Sequence, residues 1–528
     1  MDAMKPVLQQ LSEMTKSNPL PAVKSPSAAA AQLGTFSKWF VEHGGFLREG
    51  VNAEILPGYG NSLVLSGEGA KDIAEGELVV SVPRTLILSE ETALHIDTIP
   101  ELFGDAAVAS QFPETIVALQ VMYELERGGP SSFWAPFLSV LPERYETPLF
   151  WSWDDFGALR GSPALYESLM SVKTAATQFC HFFHEIDTNR EASRFMSLRL
   201  FSWPLFAWAL SAVMTRKNRV PVLPDADKEV LKARKKAAGP AKGEEAEPQE
   251  EEEQQTMVCL IPMWDFHNHE PGKITTFAVP PSGTVECRAM RAFKAGEQIF
   301  IHYGDRPNMQ LLSHNGFVLT NAQNPADIIL INKPTLTDPD EKLLQQKRSL
   351  LAQYVPQEVG PYAYFISTHS GEPSPALMAT LRVQAMKQDE MMNLPDVIPD
   401  LTASKLNDDN EKAASKKLAE ACLRQLLGYP TRFADDCAEL VAARAGNTKI
   451  TCKSSVQLYA RALCLLEKYG LMRASGLLRT FPGTDSLDFD FGVFSTLEVA
   501  PQPQQQQQQP AHPTPSSSSR RSRNKSRR

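Results

Sequence analysis

Strand-type sequence occurs in two separate stretches of this chain, with a long helical stretch between them. Short β-rich runs with glycines at their turns occupy residues 51–56, 62–65 and 77–82, and again 257–262, 275–279, 285–290 and 298–303. Between them, from about 105 to 215, apolar residues such as Ile116, Leu119 and Met122 recur at helical spacing. This order predicts an α+β fold whose short strands form small twisted sheets.

A second helical region follows the strands. From about residue 338 to 473 the spacing is helical, in runs such as 343–354, 376–387 and 456–468. We therefore predict an α+β domain over 36–325 with a helical insertion at about 105–210, and an all-α domain over 330–485.

The remaining segments contain few apolar residues that could pack. Residues 1–35 are rich in Pro, Ser, Lys and Ala, which predicts a flexible leader, and the charged run at about 222–256 predicts a disordered loop. The end of the chain, 500–528, combines a glutamine run, prolines, serines and a basic cluster, which predicts a disordered tail.

Charge and cysteine content narrow the classes of function. The net charge is −9, and six of the cations lie in the predicted tail, so we expect no direct nucleic-acid binding by the folded body. The seven cysteines are scattered without CxxC pairs or zinc-ligand spacing, as expected for reduced thiols. The sequence has no apolar run long enough for a membrane span. We expect a cytoplasmic protein without membrane contact, with the nucleus as a second location.

The residues that could take part in binding or catalysis are concentrated at 261–269 and at Tyr303. Asp265, His267 and His269 alternate in the first segment, which makes a metal site an alternative. However, neither a fourth ligand nor an HExxH-type helix accompanies them, and we predict no metal.

Asp265, Asn268 and His269, followed by Tyr303, Gly304 and Asn308, resemble the paired motifs of SET-domain methyltransferases. The sequences at 261–265, 293–299 and 313–317 are similar to the actin-histidine N-methyltransferase branch, within the Rubisco large-subunit methyltransferase-like superfamily. Shorter matches lie at 132–136, 147–149, 213–218 and 381–383. The similarity covers about residues 36–390. It implies a split SET domain followed by a helical substrate-binding domain.

This resemblance implies a protein-histidine N-methyltransferase that uses S-adenosyl-L-methionine, with actin as the expected substrate. It gives Tyr303 the place of the tyrosine in the channel between donor and substrate, and Asn218 and Trp264 the places that hold the target histidine. Arg306 and His314 match peptide-binding positions. The implied donor contacts are Arg216, Asp265, Phe266, His267, Asn268, His269, Asn315, Gly316 and Phe317.

One motif departs from the branch. The branch places an arginine that contacts the donor after its first glycines, whereas here Gly58 and Gly60 are followed by Asn61 and Ser62. Counting from the glycines gives Ser62 at the arginine position, and counting back from residues 82–84 gives Glu68. Backbone amides are the expected replacement for that contact.

Three alternatives stay open. Trp264 as a core residue, Arg306 as a surface residue and Asn218 as a helix cap are ordinary structural roles when each residue is taken singly. A protein-lysine methyltransferase of the Rubisco large-subunit type would share the fold, although Asn218 and Trp264 favour histidine. A non-catalytic SET scaffold is the alternative from another class, and an intact Tyr303 argues against it.

Overall fold

The fold is described from a computed structural model, which describes residues 4–17, 26–66, 70–96, 112–125, 129–188, 201–231 except 224, 226 and 229, 255–272, 275–280, 283–319, 324–355, 361–394, 399–444 and 452–477. The strands are β1 (Phe46–Leu47), β2 (Val51–Leu56), β3 (Gly60–Leu65), β4 (Leu78–Val82), β5 (Leu88–Ser89), β6 (Asn218–Pro221), β7 (Thr256–Leu260), β8 (Asn268–His269), β9 (Thr275–Ala278), β10 (Val285–Ala289), β11 (Gln298–Ile301), β12 (Ile328–Leu330) and β13 (Phe365–Ser367).

The helices of the α+β domain and of its insertion are α1 (Lys5–Ser17), α2 (Pro26–Glu42), α3 (Glu90–Leu94), α4 (Pro113–Tyr123), α5 (Ala135–Val140), α6 (Trp153–Ala158), α7 (Pro163–Thr188), α8 (Trp203–Arg216) and α9 (Asn308–Gln310). A π-helical turn, Leu311–Asn315, continues α9. The C-terminal helices are α10 (Glu341–Leu351), α11 (Pro375–Ala385), α12 (Gln388–Met392), α13 (Asp408–Leu426), α14 (Phe433–Arg444) and α15 (Ser455–Ala474).

The strands form small sheets, as predicted. Their orders are β1-β4-β10-β9, β2-β3-β11-β8, β5-β7-β6 and β12-β13. Most neighbours are antiparallel, whereas β8 and β11 run parallel, with Asn268 opposite Phe300 and His269 opposite Ile301. The strands of each larger sheet come from both strand-rich stretches of the sequence. The insertion therefore connects two halves of one domain.

Helix α8 positions the residues that connect the insertion to the second half of the domain. It is apolar on nearly all sides, and Trp203, Phe206 and Trp208 are buried as it packs against α4. A helix without a polar face has to lie inside the protein. Lys217 has extended backbone, with ψ 136°, so the chain leaves the helix directly into β6. This turn fixes Arg216 and Asn218 beside the core.

The predicted flexible leader is wrong for its described part. Residues 5–17 form α1, and residues 26–35 belong to α2, with Leu8 and Leu33 buried in the core. The composition misled the prediction because a few leucines suffice to dock a helix, and in α2 a run of alanines adds helix propensity.

The ends of the predicted charged loop are also ordered. The Val222 amide donates to the Gln255 carbonyl at 2.7 Å, Val230 is buried, and the buried Asp227 pairs with Arg84. These contacts anchor the loop to the domain, against the prediction of disorder from 222. Residues 232–254 of that loop and the predicted tail at 500–528 lie outside the described residues.

The C-terminal helices contact the insertion through a buried polar cluster. The Glu467 carboxyl group on α15 is hydrogen-bonded to the Ser162 hydroxyl at 2.9 Å and to the Tyr429 hydroxyl at 2.8 Å. Gly161 has φ +95°, and a Cβ there would lie 2.7 Å from the Tyr429 Cα, so this contact requires glycine. Within the described ranges, no helix is both long and apolar enough to cross a membrane.

Candidate active site

Two segments that are far apart in sequence meet at β8 and β11. Beyond this parallel pair, the Tyr303 hydroxyl donates to the His267 carbonyl at 2.8 Å, and the Tyr303 amide donates to His269 Nδ1 at 3.1 Å. The Tyr303 and His269 rings stack, with centroids 5.0 Å apart. Tyr303 is therefore held by backbone, hydrogen bonds and ring packing at once.

Asn268 joins a third segment to this pair. Its side-chain amide donates to the Ser62 hydroxyl at 2.9 Å and to the Gln298 side-chain carbonyl at 2.6 Å. Ser62 is one of the two positions that stand where the family motif has arginine, and it is fully buried. It thus serves as a partner of Asn268, whereas Glu68, the other position, lies outside the described residues.

The segment before β8 begins with an unusual backbone conformation. Met263 has φ 69° and ψ −42°, and among the described residues no other non-glycine residue has positive φ. Strained backbone of this kind costs about 1–3 kcal/mol and occurs preferentially at functional sites. A 3-10 turn, Trp264–Phe266, follows directly. Met263 thereby sets the direction of Trp264 and Asp265.

Arg216, Tyr145 and Asp265 form a partly buried polar cluster. The Arg216 guanidinium lies over the Tyr145 ring, 5.3 Å from its centroid, and donates to the Thr215 hydroxyl at 2.7 Å. Burial raises the pKa of Asp265 well above its usual range, and Arg216 partly offsets this. Within the described residues, the Tyr145 hydroxyl and Asp265 Oδ2 have no hydrogen-bond partner. Asp265 Oδ2 is therefore available to a bound polar group.

Arg216 and Asp265 lie in the wall of a cavity of about 360 Å³. Its volume lies within the range of small-molecule sites. Eight of the predicted site residues line it, namely Arg216, Asn218, Trp264, Asp265, His267, Tyr303, Arg306 and Asn315. The other lining residues are Met214, Thr215, Lys217, Arg219, Ile301, His302 and Gly304.

The remaining predicted residues lie outside this lining. Phe266 is buried in the core against Phe36, with ring centroids 5.2 Å apart, and Phe317 lies 6.2 Å from the His269 ring. Asn268 and His269 support the lining through the bonds to Ser62 and Tyr303 given above. His314 is half-buried in the π-helical turn.

Gly316 ends the π-helical turn in a left-handed conformation, with φ +83°. A Cβ at this position would lie 3.0 Å from the Glu146 Cβ and 3.1 Å from the Glu146 carbonyl carbon, so only glycine permits this close approach. Gly316 thereby brings Asn315 next to the segment that carries Tyr145.

Arg306 and Asn315 form a second polar wall of the cavity. Arg306 donates to the Asn315 side-chain carbonyl at 3.1 Å, and the Asn315 amide donates to the Thr215 carbonyl at 3.3 Å. Burial lowers the pKa of Arg306 slightly, and Tyr303 partly offsets this effect. The hydrogen bonds connect the end of α8 to the loop that follows Tyr303.

The two histidines of the first segment are neutral near pH 7. Burial lowers the pKa of His267 to about 4 and that of His269 to about 4. His267 Nδ1 lies 2.9 Å from the Trp264 carbonyl, so Nδ1 carries the proton, while Nε2 lies 3.7 Å from Cys287 Sγ. Both ring nitrogens of His267 are thus engaged by protein groups.

Sequence reasoning missed Tyr145, Lys217, Arg219 and His302. Lys217 and Arg219 adjoin Asn218, and Tyr145 lies two residues before the matched 147–149 run. The sequence could therefore have indicated these three residues only by their closeness to the motifs. The contact of Tyr145 with Arg216 carried no signal in the sequence, because it depends on how α8 crosses the 145–150 segment.

Comparisons with known proteins show which families this chain resembles. Residues 338–469 match a family model described as Rubisco LSMT substrate-binding. The chain is 35% identical over 303 residues to the actin-histidine N-methyltransferase of Drosophila melanogaster, covering 55% of this chain and 50% of that protein. It is 30% identical over 327 residues to that of Gallus gallus, covering 61% and 48%. The chain therefore spans about half the length of these curated relatives.

Solved structures of Rubisco LSMT share the fold. The structure of Rubisco LSMT bound to AdoMet superposes with a TM-score of 0.60 at 19% identity, over 90% of this chain and 95% of that one. The SET domain of LSMT bound to lysine and AdoHcy gives 0.61 at 20% identity, over 87% and 92%. The chain thus has the α+β fold of the Rubisco LSMT structures, and in sequence it resembles the actin-histidine N-methyltransferases.

Proposed function

We propose that this chain is an S-adenosyl-L-methionine-dependent protein-histidine N-methyltransferase that acts on actin in the cytoplasm. The observation that carries the proposal is that one cavity is lined by Asn218, Trp264 and Tyr303 together with Arg216 and Asp265. The similarity to curated actin-histidine N-methyltransferases supports the choice of reaction and of substrate. A nuclear location is the second possibility.

The residues present fit the methyl donor, which carries a carboxylate, an ammonium group and a sulfonium. Arg216, held over the Tyr145 ring, offers a cation, and the unpartnered Asp265 Oδ2 offers a second polar contact in the same cavity. When bound, this group supplies an electrophilic methyl carbon. The chain would hold it through Arg216, Asp265 and the neighbouring backbone.

A histidine nucleophile requires orientation more than a base. Imidazole has an ordinary pKa of about 6.5, so it is mostly neutral at pH 7 and already has a lone pair, whereas lysine must first lose a proton. Asn218 Nδ2 donates to the Arg216 carbonyl at 3.0 Å, which leaves Asn218 Oδ1 free to accept the N–H of the target ring. The other ring nitrogen then faces the donor pocket. Trp264 supplies an apolar face for the ring.

Tyr303 acts as a neutral hydrogen-bonding and packing group. Burial raises its pKa to about 12, so the phenol stays protonated near neutral pH. Its proton is committed to the His267 carbonyl. Tyr303 therefore aligns the reacting groups and does not remove a proton from the substrate.

The C-terminal helices are proposed to bind the protein substrate. The match of residues 338–469 to the Rubisco LSMT substrate-binding model supports this role. Their contact with the insertion through Glu467 and Ser162 fixes them relative to the α+β domain.

The deciding experiment is incubation of the full chain with isotope-labelled S-adenosyl-L-methionine and purified actin, followed by mass spectrometry of the peptides. We expect label on a histidine of actin. Label on lysine would instead support an enzyme of the Rubisco lysine type. Failure to bind the donor in calorimetry would support a non-catalytic scaffold.

A further inference from the structure

The cavity lining carries an excess of positive charge. Arg216, Lys217, Arg219 and Arg306 line it, and Asp265 is the one acidic residue among the described lining residues. This is opposite in sign to the whole chain, whose net charge is −9. A positive cleft in an acidic protein concentrates anionic groups at its entrance.

The four cationic side chains differ in the hydrogen bonds and ion pairs that they already form within the protein. Arg216 and Arg306 are half-buried and hydrogen-bonded to neutral side chains, and Lys217 pairs with Glu114 at 2.7 Å. Arg219 is exposed and forms no ion pair within 4.0 Å with any residue that the structure describes. Its charge acts at longer range, where it helps to lower the pKa of Glu114 after the larger effect of Lys217. Arg219 therefore remains available to a ligand.

The position of Arg219 relates it to the substrate and not to the donor. Lys217 and Arg219 are the two chain neighbours of Asn218, the residue proposed to hold the target ring. Consecutive Cα atoms of an extended peptide are about 3.8 Å apart. Because Arg219 lines the same cavity as Asn218, a peptide whose histidine reaches Asn218 places its adjacent residues within reach of this long side chain.

We propose that Arg219, assisted by Lys217, selects substrate segments that carry an acidic residue within two positions of the methylated histidine. The inference rests on the proposed histidine methylation and specifies its substrate class. An exposed ion pair adds modestly to affinity, and electrostatic steering adds to the association rate at low salt. We therefore expect a preference of about three- to tenfold in kcat/KM for glutamate over glutamine beside the histidine, decreasing as salt rises.

The test uses synthetic 15-residue peptides with a single central histidine flanked by glutamate, glutamine or lysine. Methylation rates and fluorescence-anisotropy binding are measured with the full chain. The wild type should prefer the glutamate peptide in both assays, Arg219→Gln should lose most of the preference, and Arg219→Glu should reverse it in favour of lysine. A structural defect would lower the activity on all peptides and would not reverse their order.

Arg160→Glu is the matched control, because Arg160 is also exposed but does not line the cavity, and this variant should keep the wild-type order of peptides. Equal kcat/KM and equal affinity of the wild type for the glutamate and glutamine peptides would overturn the inference. So would an Arg219→Glu variant that still prefers glutamate. If the wild type methylates no histidine in actin or in any peptide, the proposed function itself fails, and the binding order alone then decides the charge selectivity.

Discussion

The Tyr303 hydroxyl lies 2.8 Å from the backbone carbonyl of His267 and donates its proton to it. This bond crosses between the strand that ends at Ile301 and the turn that precedes β8, so a side chain of one segment fixes the backbone of the other. The same tyrosine faces the cavity. Its position thus depends on both segments being correctly folded.

Tyr303→Phe tests this bond. The variant keeps the ring but leaves the His267 carbonyl without its donor, so we expect methylation to fall about 10- to 100-fold and the free energy of unfolding to fall by about 1 kcal/mol. Donor affinity, measured by calorimetry, should change less than threefold. Tyr59→Phe, at an exposed tyrosine, is the control and should change none of the three. A wild-type rate in Tyr303→Phe would contradict the alignment role.

Asn218→Ala tests the orientation of the target ring. Without the amide, either ring nitrogen can face the donor, so we expect a rate about 10- to 100-fold lower and a larger share of product methylated on the other nitrogen. NMR of the digested peptide distinguishes the two products. Asn52→Ala, at an exposed asparagine of β2 that does not line the cavity, should leave rate and product unchanged. An unaltered rate and product in Asn218→Ala would show that another group orients the ring.

Tyr145 is expected to hold Arg216 through its aromatic face. Tyr145→Phe keeps the ring and should bind S-adenosylhomocysteine within about twofold of the wild type, whereas Tyr145→Leu should weaken binding about three- to tenfold. Isothermal calorimetry provides the measurement. The same change at the exposed Tyr166 serves as control. If the leucine variant bound as tightly as the phenylalanine one, the cation–π contact would have no role in donor binding.

Glu467 is expected to make stability depend on pH. Burial raises its pKa to about 8, so the folded protein keeps the carboxyl protonated at pH 7, while the unfolded chain ionises it near its ordinary value of 4.5. Unfolding then releases a proton, and this residue lowers stability as pH rises from about 4.5 to 8.

Glu467→Gln removes that ionisation. Relative to the wild type, its melting temperature should therefore rise progressively between pH 5 and pH 8, whatever the offset at pH 5 caused by its altered bonds to Ser162 and Tyr429. Thermal unfolding at several pH values measures the difference. Glu420→Gln, at an exposed glutamate on α13, should show no such trend. A pH-independent difference for Glu467→Gln would contradict the buried protonated carboxyl.

The sequence predicted those parts of the structure that local patterns encode. Strand runs such as 51–56 and 285–290 agree with the observed strands to within a residue or two, because turn glycines and alternation mark their ends. The match of 213–218 and 261–269 to a known family placed Asn218 and Trp264 at one site, and both line the cavity.

Features that depend on tertiary contacts were not predicted. The first 35 residues were expected to be flexible, yet Leu8 and Leu33 dock α1 and α2 onto a core that only the fold creates. Likewise, Asp227 is buried because Arg84, more than a hundred residues earlier in the chain, meets it there. Composition describes only the segment itself, whereas the burial of its residues depends on which other segments pack against it.

The three-way junction of Asn268 with Ser62 and Gln298 has a consequence for how this protein evolves and can be engineered. Its members lie on either side of the whole helical insertion, so neither half of the domain contains the site by itself. A chain that ends before β8 lacks both Asn268 and Gln298 and cannot form this junction. Formation of the cavity therefore requires contacts between distant parts of the chain, and a replacement of the insertion should preserve the cavity only if it returns both halves to the same register.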